Sequence, residues 1–390
     1  MTYQHLGIFS DWVEAARQQH RLYPLVEPGI ETRRKLREVL GFCQGDETPQ
    51  EVRLERSWKS EGVLGEEISW SVGYGPRTHA YLLRPAGERK PLPGIVALHD
   101  HAAFKYYGKE KIADGPEAPQ SAILKHRGIY YENQAYANTL AREGFAVLIH
   151  DTFLWGSRRF PLEEMPQEIQ DLAHIQAGTW GTDEMIPPEI QLYNNAASHH
   201  EHLVEKYCNL LGTTLAGMVC YEDRIALNYL LSRPEVDTQN VGCIGLSGGG
   251  NRSTLLLATH DGIRAAVIVG LMSTYPGLLD HNVFCHTWML FPHGWARYGD
   301  WPDIAACRAP LPLLVQYDEG DDLFTPQGMQ HAHQRLAAHY LKAGQPEAYT
   351  GQFYPGYHKF DLEMQAAAFA WLKHVLGPGR QLIQQGISLS

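Results

Sequence analysis

The chain has 390 residues, of which 44% are hydrophobic and 20% charged, with a formal net charge of -11. That apolar fraction can fill a sizeable core and excludes a disordered polymer. An acidic balance with no basic run excludes a general nucleic-acid binder. No stretch approaches the roughly 18 unbroken apolar residues that a membrane span needs, so a membrane partner is not expected. The opening residues lack a basic segment followed by an apolar one, so no secretory signal is expected. The cysteines at 43, 208, 220, 243, 285 and 307 form no C-x-x-C pair, which predicts reduced thiols in a cytoplasmic protein.

Two amphipathic stretches over 10–24 and 29–42, separated by Pro24 and Pro28, predict a helical N-terminal extension over residues 1–50. EVRLERSWKS, EEISWSVGYG and RTHAYLLRP then alternate or run apolar between Gly and Pro breaks and predict an antiparallel meander. PGIVALHD is an apolar run of the kind a buried parallel strand shows. From there helices and strands alternate: YENQAYANTLAREG before FAVLIHD, YEDRIALNYLLSRP before NVGCIGLS, and RSTLLLATHDG before IRAAVIVG. PLPLLVQYD is a further strand, and LEMQAAAFAWLKHVLG closes the chain as a helix. The fold class is therefore α/β, a mostly parallel sheet with helices on both faces.

Residues 161–210 interrupt this rhythm with nine acids (Glu163, Glu164, Glu168, Asp171, Asp183, Glu184, Glu189, Glu201, Glu205) against the single base Lys206. An insertion of that size between core strands predicts a cap or lid, the alternative being a solvated excursion. It divides the core into 51–160 and 211–390.

The sharpest motif is Gly245-Leu246-Ser247-Gly248-Gly249, after the apolar strand VGCI and before a helix. In a G-x-S-x-G nucleophile elbow the serine sits on a strained strand-to-helix turn, which needs small neighbours. A phosphate loop fits poorly, because no Lys-Ser/Thr pair closes the motif. Serine needs a base, and His358 stands in a loop just before the final helix, in the expected chain order of serine, acid, histidine. The loop after PLPLLVQYD offers the acid. Asp321 is favoured, Asp322 competes, Asp318 lies too near the strand end, and carboxylates not chosen would be solvated. Two N–H donors should form the oxyanion hole: Gly248, after the nucleophile, and His101 in the loop His99-Asp100-His101-Ala102-Ala103. Metal binding by His99, Asp100 and His101 is the weaker reading of that loop. No cofactor or metal is required.

Taken together, GLSGGGNR, HDHAAF, LFPHGWARYGDWPDIAACRAPLPLLVQYDEGDDLF and GYHKF resemble α/β-hydrolases of the dienelactone hydrolase and acetyl xylan esterase-like group. The resemblance runs through most of residues 60–376 and implies an eight-strand-type core. It also implies nucleophile Ser247, acid Asp321, base His358, and oxyanion donors His101 and Gly248. Asp100 and Asp318 depart from it, since glycine is usual at both places. A serine nucleophile, where dienelactone hydrolases proper use cysteine, favours esters over that lactone. The first 50 residues and the 161–210 insertion lie outside the match.

Other features read as structural. His199, His200 and His202 predict a solvated helix face rather than a metal cluster. Arg158-Arg159 could hold the cap by ion pairs or bind an acidic substrate group. Phe284 to Trp301 predicts core and pocket wall, and Cys243 a small core residue. The expectation is a cytoplasmic serine esterase acting on a short-acyl or acetyl ester of a small molecule or sugar. Carbon–carbon hydrolysis by the same triad and a catalytically inactive ligand-binding relative remain as alternatives; a gated peptidase lacks room for its second domain. Whether the chain forms a homo-oligomer is open.

Overall fold

The computed structural model describes residues 2–42, 47–88, 90–180 and 184–377, the side chain of Trp180 excepted. Cys43 and Asp183 lie outside the described residues. In chain order the elements are α1 (Asp11–Gln19), α2 (Ile30–Leu40), β1 (Gln50–Ser60), β2 (Val63–Ser71), β3 (Thr78–Pro85), β4 (Leu92–Leu98), α3 (Ser121–Tyr130), α4 (Tyr136–Arg142) and β5 (Ala146–His150). Then come α5 (Gln167–Trp180), α6 (Pro188–Leu210), α7 (Leu215–Leu231), β6 (Val236–Leu246), α8 (Gly248–Thr259), β7 (Ala265–Val269), α9 (Trp301–Ala306), β8 (Leu313–Asp318), α10 (Pro326–Lys342), β9 (Tyr349–Tyr354) and α11 (Leu362–Leu376).

The strands form one nine-stranded sheet in the order β1-β2-β3-β5-β4-β6-β7-β8-β9. The meander is antiparallel through the β3–β5 pair, and every pairing from β5 to β9 is parallel. This is the α/β-hydrolase fold, with one strand more than the eight expected. The unexpected strand, β9, reads YTGQFY and is only partly buried beyond Tyr349, so it lacks the apolar run that marks β5 and β7. Helices α3 and α10 are likewise unanticipated; α10 is rich in His and Gln, yet Met329, Ala332, Leu336 and Tyr340 bury one face of it. β1 is exposed along almost its whole length and carries Glu51, Arg53, Glu55, Arg56 and Lys59, charges that discourage another chain from pairing with this edge.

One apolar core lies between the sheet and α2, α7, α8, α9 and α10; a second lies on the opposite face under α4 and α11. The insertion builds a small core of its own, in which Met165, Ala173, Tyr193, Ala196 and Ala197 pack against Tyr106 and Phe160. No helix among the described residues is long and apolar enough to cross a membrane.

Charged groups are also buried in the frame. Arg252 of α8 is 1% exposed and grips Asp223 of α7 through Nε and Nη2, while His150 Nε2 meets the same carboxylate at 2.8 Å. Burial would raise the Asp223 carboxyl, but Arg252 and His150 outweigh it and hold it below the usual range. Arg158 does not hold the insertion. It pairs with Glu222 of α7 and donates to the carbonyls of Tyr74 and Pro76, so its charge is spent inside the core. Removing one member of a buried pair strands the other, at a cost of about 3–5 kcal/mol. Asp223→Ala is therefore expected to lower the urea midpoint by that equivalent with an unchanged m-value, read by circular dichroism; a loss under about 1 kcal/mol would contradict the assignment.

Candidate active site

The C-terminal ends of β4, β6, β8 and β9 bring four loops to one edge of the sheet, beside the point where the order of strands reverses between β4 and β6. Ser247 follows β6 directly, with φ 56° and ψ -120°, and α8 begins at the next residue. That backbone is strained for a side chain with a Cβ. The glycines around it allow close approach: a Cβ at Gly249 would stand 2.1 Å from the Leu98 carbonyl oxygen, and one at Gly248 would stand 2.7 Å from the His101 nitrogen. Strand β4, helix α8 and the 99–103 loop thus meet at the serine because glycine stands where they cross.

His358 Nδ1 lies 2.6 Å from Asp321 Oδ2, and Asp321 Oδ1 accepts from the Leu323 N–H at 2.8 Å. Asp322 is exposed, so of the two neighbouring carboxylates the structure brings Asp321 to the histidine. The acid and histidine loops are tied together: Glu319 N–H donates to the Tyr354 carbonyl and Gly320 N–H to that of Gly356. Burial opposes a charged His358, but the Asp321 hydrogen bond and charge, with Asp318 and Asp100 behind, outweigh it and raise the imidazole above its ordinary value. Its Nε2 is buried and makes no hydrogen bond to the described residues. Ser247, Gly248, His101 and His358 line one cavity of about 210 Å³, with Tyr130, Leu271, Cys285, His286, Thr287 and Leu323. The backbone N–H groups of Gly248 and His101 have no acceptor among the described residues.

Asp318 is not a solvated loop charge. It is buried at the end of β8, where Oδ2 accepts from the Lys359 N–H at 3.2 Å and Oδ1 has no partner. Burial pushes its carboxyl up to about 7. Asp318, Asp321 and His358 place one ligand-type atom each within 4.8 Å of one another, the sole such trio among the described residues. His99, Asp100 and His101 form no such group. Asp100 is instead the floor of the loop: Oδ1 meets His126 Nε2 at 3.0 Å and the Tyr131 hydroxyl, and Oδ2 meets Lys111 Nζ at 3.2 Å. That explains an aspartate where the resembled family has glycine. Burial depresses the Lys111 ammonium to about 8 despite Asp100.

The solvated face expected of the α6 histidines holds for His202, which is exposed, and in part for His199, but not for His200. His200 is buried edge-on to Phe160, and burial drives its imidazole down to about 4. His199 meets Gln176 at 3.1 Å, and His202 Nδ1 accepts from Trp288 Nε1. Within the aromatic stretch, Trp295 and Trp301 are core, but Phe284 is 91% exposed. Arg159 lies over Tyr106 and near Tyr193 of the insertion. His286, with Nε2 2.9 Å from the Leu323 carbonyl, and Thr287 are wall residues inside the stretch expected to form pocket wall, though not named individually, whereas Tyr130 is unmarked in the sequence. No motif distinguishes them, because they reach the cavity from two segments far apart in the chain. Cys243 is buried as expected.

A family model described as the C-terminal region of BAAT and acyl-CoA thioester hydrolases matches residues 221–279, which include the Ser247 turn. The curated protein "Putative hydrolase YtaP" of Bacillus subtilis (strain 168) is 24% identical over 326 residues, 82% of this chain and 90% of that one. Among solved structures, the methylesterase BT1017 superposes with a TM-score of 0.59 at 17% identity over 88% of this chain, which spans 62% of that longer protein. A glucuronoyl esterase from Solibacter usitatus gives 0.60 at 13% identity, covering 87% and 91% of the two chains. Acetyl xylan esterase 1 from Thermoanaerobacterium sp. JW/SL YS485 gives 0.53 at 14% identity, covering 93% and 98%. These likenesses establish the fold.

A raised His358 value has a definite sign. Folding favours the imidazolium, so its stabilising contribution is complete below the unfolded value near 6.5 and fades as pH rises through the folded value. Proton NMR of the His358 ring is expected to titrate above about 6.5. In Asp321→Asn it should titrate lower; an unmoved midpoint would contradict the pairing.

Proposed function

We propose that the protein is a serine hydrolase of carboxylic esters with small acyl groups. The observation that carries this reading is the 2.6 Å contact of His358 Nδ1 with Asp321 Oδ2, which leaves Nε2 unpaired at the cavity that Ser247 lines. Asp321 fixes the tautomer that carries its proton on Nδ1, so Nε2 is the free base. Nε2 takes the Ser247 hydroxyl proton as Oγ attacks the ester carbonyl. The negative charge that develops on the carbonyl oxygen falls to the unpaired N–H groups of Gly248 and His101. His358 then protonates the departing alcohol. A water, deprotonated by the same nitrogen, attacks the acyl-enzyme, and the acid leaves as Ser247 regains its proton.

A cavity of about 210 Å³ is small for an organic ligand and favours an acetyl-sized acyl group. The esterases of like fold act on acetyl, methyl and glucuronoyl esters by name, which supports an oxygen ester in the same class. The family match over 221–279 makes an acyl thioester the second acyl donor to test.

Wild type is expected to hydrolyse p-nitrophenyl acetate faster than the octanoate, and a fluorophosphonate should label Ser247. Ser247→Ala should lose both, with kcat down by on the order of 10⁴-fold or more. Equal rates for the two proteins would remove Ser247 from the reaction. Below its raised midpoint His358 is protonated and cannot act as base, so kcat/KM should climb with pH through a value above about 6.5.

A further inference from the structure

Helix α6 carries one carboxylate away from solvent and toward the nucleophile cavity. Glu201 is 5% exposed, and four donors from two other segments converge on it. Its Oε2 meets His101 Nε2 at 2.8 Å and the ammonium of Lys105. Its Oε1 accepts from Thr287 Oγ1 at 2.8 Å and from the Trp288 N–H at 3.2 Å. Burial alone would raise this carboxyl; Lys105 and His101 outweigh it and hold it well below the usual carboxylate range. Lys105 is itself buried and also donates to the Ala197 carbonyl of the same helix.

The segment between those two residues is strained. Ala102 and Ala103 both have left-handed backbones, at φ 45° and 50°, and neither is a glycine. Such conformations persist only where the surroundings over-determine them. The His101 ring supplies part of that constraint, because Nδ1 accepts from the Ala103 N–H at 3.0 Å. With Nδ1 accepting, the ring proton of the neutral imidazole sits on Nε2 and points to Glu201. Trp155 closes the other side, edge-on to the His101 ring at 5.1 Å. The ring is thus fixed at both nitrogens and on one face, and its own backbone N–H is left beside Gly248 at the cavity.

We propose that Glu201 is a positioning residue for the oxyanion hole, acting through His101 and touching no substrate. The inference rests on the serine-hydrolase reading and gives the 161–210 insertion a structural role at the site. Through Glu201 it clamps the 99–105 loop to the 287–288 wall. A carboxylate suits this because it accepts from both segments at once, and the charge of Lys105 makes its burial tolerable.

The test compares the full-length wild type, Glu201→Ala, the double variant Lys105→Met/Glu201→Gln, and Glu205→Gln as a control. Glu205 is another buried acid of α6, but it accepts from Leu215 N–H and Asn209, away from the loop. Fluorophosphonate titration gives the fraction of competent serine, and rates are expressed per titrated site. For Glu201→Ala, kcat on p-nitrophenyl acetate is expected to fall on the order of 10²-fold with KM within about twofold, as when one oxyanion donor is lost. Phenylboronic acid, whose tetrahedral adduct uses the same donors, should bind weaker by a similar factor. The double variant keeps an acceptor for His101 without stranding a buried ammonium and should recover at least tenfold of the lost kcat. Glu205→Gln should leave both constants unchanged. Boronate affinity that stays at the wild-type value per titrated site, or a double variant no better than Glu201→Ala, would overturn the proposal. A wild type that neither turns over esters nor takes the fluorophosphonate would overturn the serine-hydrolase reading itself, and the inference with it.

Discussion

The backbone of Ser247 is the constraint around which the rest is arranged. Holding a serine at φ 56° costs about 1–3 kcal/mol, and the surroundings must over-determine it. They do so from three sides. The Ser247 N–H is bonded to the Val269 carbonyl at 2.9 Å, its carbonyl takes the Asn251 N–H of α8, and the strand before it is buried at Cys243, Ile244 and Leu246. The carbonyl of Leu98 then passes so close to Gly249 that no side chain fits between β4 and α8. Each of these contacts serves the turn first, and the loops that hang from the same strands inherit its position.

Below the loops the protein uses ion pairs where apolar packing would have been simpler. Asp223 with Arg252, Asp100 with Lys111 and His126, and Glu201 with Lys105 are all buried. Such pairs add little net stability over well-packed hydrocarbon, but they are directional. A methyl group tolerates rotation of its neighbour, whereas a carboxylate shared among several donors fixes each of them. The arrangement suits the proposed reaction, in which backbone donors must lie in place before a substrate arrives.

Much of the fold could be read from the sequence, because β4 to β8 are buried on both faces and appear as plain apolar runs. β9 could not, since its exposed edge and its Gly and Gln give it no such run. Of the site, Ser247 was legible from its glycines and strand context, and His358 from chain order. Asp321 was separable from Asp322 only by supposing which way the loop turned, and the structure pairs it with the histidine. The misreadings share one cause. Sequence alone reads Asp318 and His200 as solvated, Arg158 as a partner of the cap or substrate, and Glu201 only as one acid of the insertion; each is buried because the fold around it closes over the position. Arg158 and Glu222 are 64 residues apart, and Glu201 and His101 are 100 apart. No local pattern encodes such a pairing.

The floor beneath the 99–103 loop has an evolutionary corollary. Asp100 serves Lys111, His126 and Tyr131 at once, so replacing it alone by the glycine of the resembled family would strip the Tyr131 hydroxyl of its acceptor and leave the Lys111 ammonium on the carbonyls of residues 100 and 101 without a counter-charge. A glycine at 100 would be better tolerated with an apolar residue at 111, which removes the buried charge that the aspartate balances. Residues locked in this way drift as a set or not at all. A library that varies position 100 one residue at a time would therefore record it as intolerant, while one that varies 100 and 111 together would find a second, separated group of folded sequences.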